Sequence, residues 1–335
     1  RQWRQRLKKN KVQMLTPKEA YTFDYQWALD YELKQRKVLW NPEEFEVSKD
    51  VQDLMVNMTP AEAHGVKTVL KLFTKYELIV GQEYWTGAFQ KFFPRPDLVR
   101  MGSCFGYVEL NVHAPFYNKV DEALMLNTEE HYLAYKDDPV LASRVDFLDG
   151  IVGSKHPLLS VGAFSMTEGA ILYSNFAFLK HFNSGGKNLI KNVVSGINMS
   201  VNDENLHSEA GAAAYRTLQD EMIRANAITQ SELRGVQDQL IQTAMTVYEH
   251  ECRIIEMIFE HGKIKGITQT QMENFVQSRL DLCLANLGIQ PVFNPSYNPI
   301  SSWFYSDIND YQFNDMFNNQ GREYNRDWTE SNFTW

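Results

Sequence analysis

Glu168 is the first residue that needs an explanation. It is the only charged residue in the run 157–179, which is otherwise apolar or small. A bare carboxylate on an apolar helix face is costly unless a charge or a metal compensates it. Further along, Asn202-Asp203-Glu204-Asn205-Leu206-His207 offers Glu-x-x-His, two ligand types one helical turn apart, with an acid just before them. Upstream lie Glu77 and the pair Glu109/His113. Carboxylate oxygens and neutral imidazoles are the donor set that divalent iron or manganese accepts. A two-metal centre inside a four-helix bundle needs two isolated carboxylates and two Glu/His pairs on four helices. Glu77, Glu109/His113, Glu168 and Glu204/His207 supply that set in chain order. One Glu-x-x-His is a weak signal, whereas the whole constellation is a strong one.

The elements that must position these residues read as helices. Thr59-Pro60-Ala61-Glu62 is a helix start, with Thr as N-cap, Pro in the first turn and Glu at the third position. The helix it opens is expected to run to 92, a second from 96 to 124, and shorter ones over 128–136 and 139–150. The Glu168 helix ends at Asn183-Ser184-Gly185-Gly186, a glycine stop. Residues 189–218 carry Glu204, and 229–262 and 268–287 read as two amphipathic helices. No strand-rich section and no internal repeat is visible. The expected organisation is a basic arm over 1–36 that turns helical near its end, one helical domain over 37–300, and a tail over 301–335.

Composition sets further bounds. The 335 residues are 44% hydrophobic, enough for one large core. Eighteen glycines and 11 prolines are few for this length and favour long helices. A net charge of -9 argues against a general nucleic-acid binder. Cys104, Cys252 and Cys283 are odd in number and far apart, which suits a reducing cytoplasm without a disulfide framework. Glu168 splits the longest apolar stretch into halves far short of the roughly 20 residues that span a bilayer, so no membrane is expected. Arg1, Arg4, Arg6, Lys8, Lys9 and Lys11 precede no apolar run, which excludes a secretory signal and leaves a solvated basic arm. The tail interleaves aromatic and acidic residues without a sustained period, a character that suits docking into a partner's groove.

Four motifs together resemble a known family, the small, radical-generating subunit of class I ribonucleotide reductase. They are Leu39-Trp40-Asn41-Pro42-Glu43-Glu44, the stretch from Glu109 to Tyr117, Thr167-Glu168-Gly169 and Asp203-Glu204-Asn205-Leu206-His207. The resemblance implies an all-α, ferritin-like helical bundle with a dimetal-carboxylate site in its core. Glu77, Glu109, His113, Glu168, Glu204 and His207 would hold two metal ions, iron first and manganese as the alternative. Oxygen activation there would place a tyrosyl radical on Tyr117, with Leu172 and Phe176 as its apolar surround. Trp40 and Asp203 would relay the oxidising equivalent, with His113 at the metal end and Tyr324 (or Tyr311) near the C-terminus. The recipient would be a large subunit docked by the tail, which reduces ribonucleoside diphosphates. A homodimer and a cytoplasmic location are also implied. The alternative on the same scaffold is a dimetal oxidase of the ligand-binding or desaturase type; metal storage is a third reading.

Three departures from the family pattern stand out. Glu109 and His113 are one residue further apart than Glu-x-x-His, and Pro115 lies just beyond them. An extra residue beside a proline predicts a π-type bulge that keeps Glu109 a ligand; counting back from His113 instead would put Leu110 there. Glu77 stands where most members have Asp, with Glu83 as its rival. The gap from Glu168 to Glu204 is long, which lengthens the turn at Gly185-Gly186. His64, His131, His156, His181, His250 and His261 read as surface or structural, and Glu249, His250, Glu251 and Glu256 as a solvated helix face.

Overall fold

The structure, a computed structural model, describes residues 2–306. The expectations for Tyr311, Tyr324 and the tail beyond 306 lie outside the described residues. Four helical rods form the core. The first runs over 60–92 as Pro60–Leu70, Phe73–Leu78, the π-helical Ile79–Ala88 and Phe89–Phe92. The second joins Pro96–Val108, a π-helical turn Glu109–His113 and Ala114–Ala123. The third is Pro157–Ala170 followed by Tyr173–His181, and the fourth is the unbroken Lys191–Arg224. Gln26–Lys37, Pro139–Val152, Gln230–Ile258 and Gln269–Asn286 pack around them. Among the described residues there is no strand, only an isolated bridge between Ile264 and Ile267.

Local chemistry explains the helix ends. Thr59 and Glu62 form the expected reciprocal capping box, with Pro60 in the first turn. The third rod stops at a turn where Gly185 and Gly186 adopt φ of 58° and 80°, a region that glycine enters without steric cost. The fourth begins after Ile190, itself left-handed at φ 46°. Two aspartates hold that start: Asp53 accepts from the Ile190 amide at 3.0 Å and Asp50 from the Val193 amide at 2.7 Å. They satisfy donors that a helix N-terminus leaves open.

Small residues set how closely the rods approach. Ser165 and Ser208 each donate a hydroxyl to the other's carbonyl at 2.8 Å, locking the third rod onto the fourth. On the first and second rods, a Cβ added at Gly106 would sit 2.4 Å from Thr86, and one at Gly81 would sit 2.9 Å from Cβ of Glu109. Bulk at either position would push apart the helices that carry Glu77 and Glu109.

Three expectations need correction. The 60–92 helix is broken at Lys71-Leu72 and turns π-helical over Ile79–Ala88, where no proline announces it. The N-terminal arm is not simply solvated. Val12, Met14 and Tyr25 are buried, Arg6 pairs with Glu232, and Glu221 accepts from the Met14 amide at 2.7 Å and the Tyr25 hydroxyl at 2.6 Å. The late helix face is only half solvated. Glu249 and Glu256 are exposed, but His250 is buried against Phe147, and Glu251 is fully buried and paired with Arg144 at 2.6 Å.

Candidate metal centre

The six expected ligands converge. Each is at most 1% exposed. Their donor atoms form two groups, Glu77/Glu109/His113/Glu204 and Glu109/Glu168/Glu204/His207, with the donor atoms of each group within 4.8 Å of one another. Glu109 and Glu204 belong to both groups. Glu109 sets one oxygen 2.7 Å from Nδ1 of His113 and the other 2.6 Å from Nδ1 of His207. Nδ1 of His113 also faces Glu204 at 3.4 Å and Glu77 at 3.6 Å, and Nδ1 of His207 faces Glu168 at 3.5 Å. Glu83, the rival of Glu77, is exposed and outside the cluster.

The bulge over Glu109–His113 resolves the extra residue in this pair. The Ala114 amide bonds back to the carbonyl of Glu109, five residues earlier, which is the π pattern. Pro115 has no amide hydrogen to restore the α pattern. The wider turn returns Glu109 and His113 to one face, and Leu110 is not needed as a ligand.

The chemistry of the cluster suits cations. Both oxygens of Glu77, Glu109 and Glu204, and Nδ1 of both histidines, are buried without a hydrogen-bond partner among the described residues. Buried polar atoms are ordinarily satisfied, so this many orphaned lone pairs turned on one space fits two bound ions. Burial and the Glu109 charge push the Glu77 carboxyl well above its ordinary range. Burial, Glu109 and Glu168 do the same to Glu204. Burial also acts to raise Glu109, but His113 and His207 outweigh it and hold that carboxyl low. Burial lowers the imidazoles, yet the Glu109 charge raises His113 well above its usual range and lifts His207 to about 9. Positive charge is what the cluster calls for, and two hard divalent ions would supply it.

A layer of partners orients the ligands. Nε2 of His113 lies 2.9 Å from Asp203 Oδ2, the oxygen that also accepts from the Trp40 indole at 2.8 Å. The Trp40 and His113 rings are 5.9 Å apart. Gln35 donates to the other Asp203 oxygen at 2.9 Å and meets Nε2 of His207 with its carbonyl at 2.7 Å. The outer nitrogens of both histidines are thus fixed, which turns Nδ1 inward. Glu168 has two donors of its own, the Trp85 indole at 2.6 Å and the Tyr76 hydroxyl at 3.1 Å. Gln35, Tyr76 and Trp85 were missed in the sequence. Tyr76 adjoins Glu77, but nothing in local spacing reveals that Gln35 or Trp85 crosses to another helix.

Tyr117 is 1% exposed. Phe73 meets its ring edge-on at 4.5 Å and Phe116 lies at 5.5 Å. Phe176 packs on the same Phe73 ring at 5.9 Å, and Leu172 is buried near the break in the third rod. Of the remaining histidines, His156 caps the third rod, and His64 and His261 stack at 3.7 Å beside Glu260.

Comparison with known proteins agrees with this geometry. The family model for the ribonucleotide reductase small chain matches residues 18–299. The "Probable ribonucleoside-diphosphate reductase small subunit" of Invertebrate iridescent virus 3 is 22% identical over 90% of this chain and 82% of its own length. Among solved structures, the dimanganese(II)-NrdF of Streptococcus sanguinis superposes with a TM-score of 0.72 at 19% identity, covering 86% of this chain and 98% of that one. A ribonucleotide reductase subunit from Clostridium botulinum gives 0.72 at 18% identity, covering 83% and 87%. With the family model spanning most of the chain and the ligand cluster assembled, the protein belongs to the ribonucleotide reductase small chain family.

Proposed function

We propose that Glu77, Glu109, His113, Glu168, Glu204 and His207 hold two metal ions, iron in the first instance and manganese as the alternative, and that Tyr117 carries the stable radical. The observation that carries this reading is the division of the ligands into two groups that share Glu109 and Glu204. Two ions held there would supply, with oxygen, a one-electron oxidant. The rest follows from residues of the chain. His113 and His207 present Nδ1 because Asp203 and Gln35 engage their Nε2 atoms. The aromatic packing of Phe73 and Phe116 keeps water from Tyr117. Trp40, bonded to the same carboxylate oxygen as His113, conducts the oxidising equivalent outward. The C-terminal segment, with Tyr324 or Tyr311, docks on the large subunit, where ribonucleoside diphosphates are reduced. Homodimerisation and a cytoplasmic setting, in keeping with three free cysteines, complete the reading.

A lipid-oxidising dimetal enzyme is disfavoured, because it leaves the hydrogen-bonded chain from Trp40 through Asp203 to His113 without a role. The test is anaerobic loading with Fe(II) or Mn(II), oxygen exposure and electron paramagnetic resonance. Two ions should bind per chain and a tyrosyl doublet should form. That doublet must vanish in Tyr117→Phe; its survival with unaltered line shape refutes the Tyr117 assignment. Deletion of residues 320–335 should abolish turnover with the large subunit while the radical persists, and unchanged turnover would remove the docking role.

A further inference from the structure

We infer that Tyr76 is a second oxidisable phenol of this centre, placed on the Glu168 side and provided with its own proton acceptor. The inference rests on the two-metal reading above. Tyr76 is 3% exposed and its hydroxyl lies 3.1 Å from Oε2 of Glu168. Glu168 belongs to the ligand group that contains His207 and not to the one that contains Glu77 and His113, so the direct contact of Tyr76 with the cluster is on the Glu168 side.

The two phenols differ in what can take their proton. A phenol that loses an electron near neutral pH must also lose its proton, so a base within hydrogen-bond reach decides how readily it reacts. The Tyr117 hydroxyl makes no hydrogen bond of ordinary geometry among the described residues, with Ser200 nearby and equally unsatisfied. Tyr76 has Glu168. The Trp85 indole fixes that carboxylate by holding Oε1 at 2.6 Å, which leaves Oε2 aimed at the Tyr76 hydroxyl. With two oxidised ions held by the cluster, the Tyr76 ring would give up one electron to them and its hydroxyl proton to Oε2 of Glu168, leaving a neutral phenoxyl.

Surroundings set the lifetime. Tyr76 lines a water-sized cavity of about 20 Å³, together with Thr68, Arg144 and Asn175. Tyr117 is instead enclosed by phenylalanines. A hole on Tyr76 is therefore shorter-lived than one on Tyr117, and it is best seen where Tyr117 cannot compete.

Freeze-quench electron paramagnetic resonance on the metal-loaded, oxygen-exposed full chain tests this. The samples are wild type, Tyr117→Phe, Tyr76→Phe, the double variant, and Tyr117→Phe with 3-fluorotyrosine at position 76. The fluorinated residue keeps the hydroxyl, and metal stoichiometry verifies that each variant is folded. In Tyr117→Phe a transient doublet of new line shape should appear, narrow in D2O and split when position 76 carries fluorine. The double variant should lose it. A fully loaded Tyr117→Phe that is silent at every freezing time overturns the inference and leaves the Tyr117 reading intact. A signal that ignores fluorination or persists in the double variant also overturns it. Loss of the wild-type signal in Tyr76→Phe alone supports Tyr76 and refutes Tyr117 instead. Silence of the wild type with two metals bound refutes both.

Discussion

Asp203→Asn should weaken metal binding at the His207 half of the centre, although Asp203 touches only the other histidine. Oδ2 of Asp203 accepts from Trp40 at 2.8 Å and meets His113 at 2.9 Å, while Oδ1 accepts from Gln35 at 2.9 Å. An asparagine keeps the first two contacts only by pointing its carbonyl at them, which turns its NH2 against the NH2 of Gln35. Gln35 must then flip its amide. The flip presents a donor to Nε2 of His207, where a carbonyl now stands at 2.7 Å. His207 answers by moving its proton to Nδ1, the atom 2.6 Å from Glu109 that a metal requires. Loss of such an outer partner costs about 10- to 100-fold in metal affinity, or about 1.4–2.7 kcal/mol. Anaerobic Co(II) titration against a competing chelator measures it. Gln35→Glu combined with Asp203→Asn returns an acceptor both to His207 and to the new side-chain amide at position 203, at unchanged net charge, so the double variant should recover most of the loss. Wild-type affinity in Asp203→Asn, or a double variant no better than the single ones, refutes the route through Gln35.

Three other outcomes follow from the packing. In Gly169→Ala the new Cβ would lie 2.4 Å from both the Cys283 sulfur and the Ser208 hydroxyl. The variant should lose about 1–3 kcal/mol in thermal unfolding and bind less than two metals per chain, because Glu168 adjoins the strained site. Arg144→Met strands the fully buried Glu251, which pairs with Arg144 at 2.6 Å and accepts from Ser174. Urea denaturation should show a loss of about 3–5 kcal/mol, most of it recovered in Arg144→Met/Glu251→Met. His181 is 1% exposed, and burial, then the Lys187 charge, holds its imidazole down at about 3. Its folded pKa is depressed, so its contribution is present above the unfolded value near 6.5 and is lost as pH falls toward 3. Between pH 6.5 and 4.5 the wild type should lose stability faster than His181→Phe by up to about 1.4 kcal/mol per pH unit; parallel curves would contradict this.

The candidate ligands were legible in the sequence because helical spacing is a local property. Glu204 and His207 share a face at any tertiary arrangement, and Glu168 stands out by its apolar neighbours alone. Even the Glu109–His113 irregularity could be read, since Pro115 marks where the α pattern fails. The residues that brace the ligands could not. Gln35 reaches Asp203 and His207 across the bundle, and Trp85 reaches Glu168 from the first rod to the third. Such contacts depend on how the rods are rotated, which periodicity alone leaves open. The π stretch over Ile79–Ala88 lacks a proline to betray it, and the close packing of Gly81 against Glu109 and Leu110 is a tertiary feature that periodicity does not carry. Glu251 misled for a similar reason. Its exposed neighbours Glu249 and Glu256 imply a wet face, and only the packing of Arg144 and Ser174 against it explains a buried carboxylate.

The central claim is that six side chains hold two ions with Glu109 and Glu204 shared between them. Anomalous diffraction from crystals grown with Mn(II), recorded at the manganese edge, tests it directly. Two peaks per chain should appear, one enclosed by Glu77, Glu109, His113 and Glu204 and the other by Glu109, Glu168, Glu204 and His207. A single peak in the cluster, or peaks only at the surface group His64, Glu260 and His261, would contradict it.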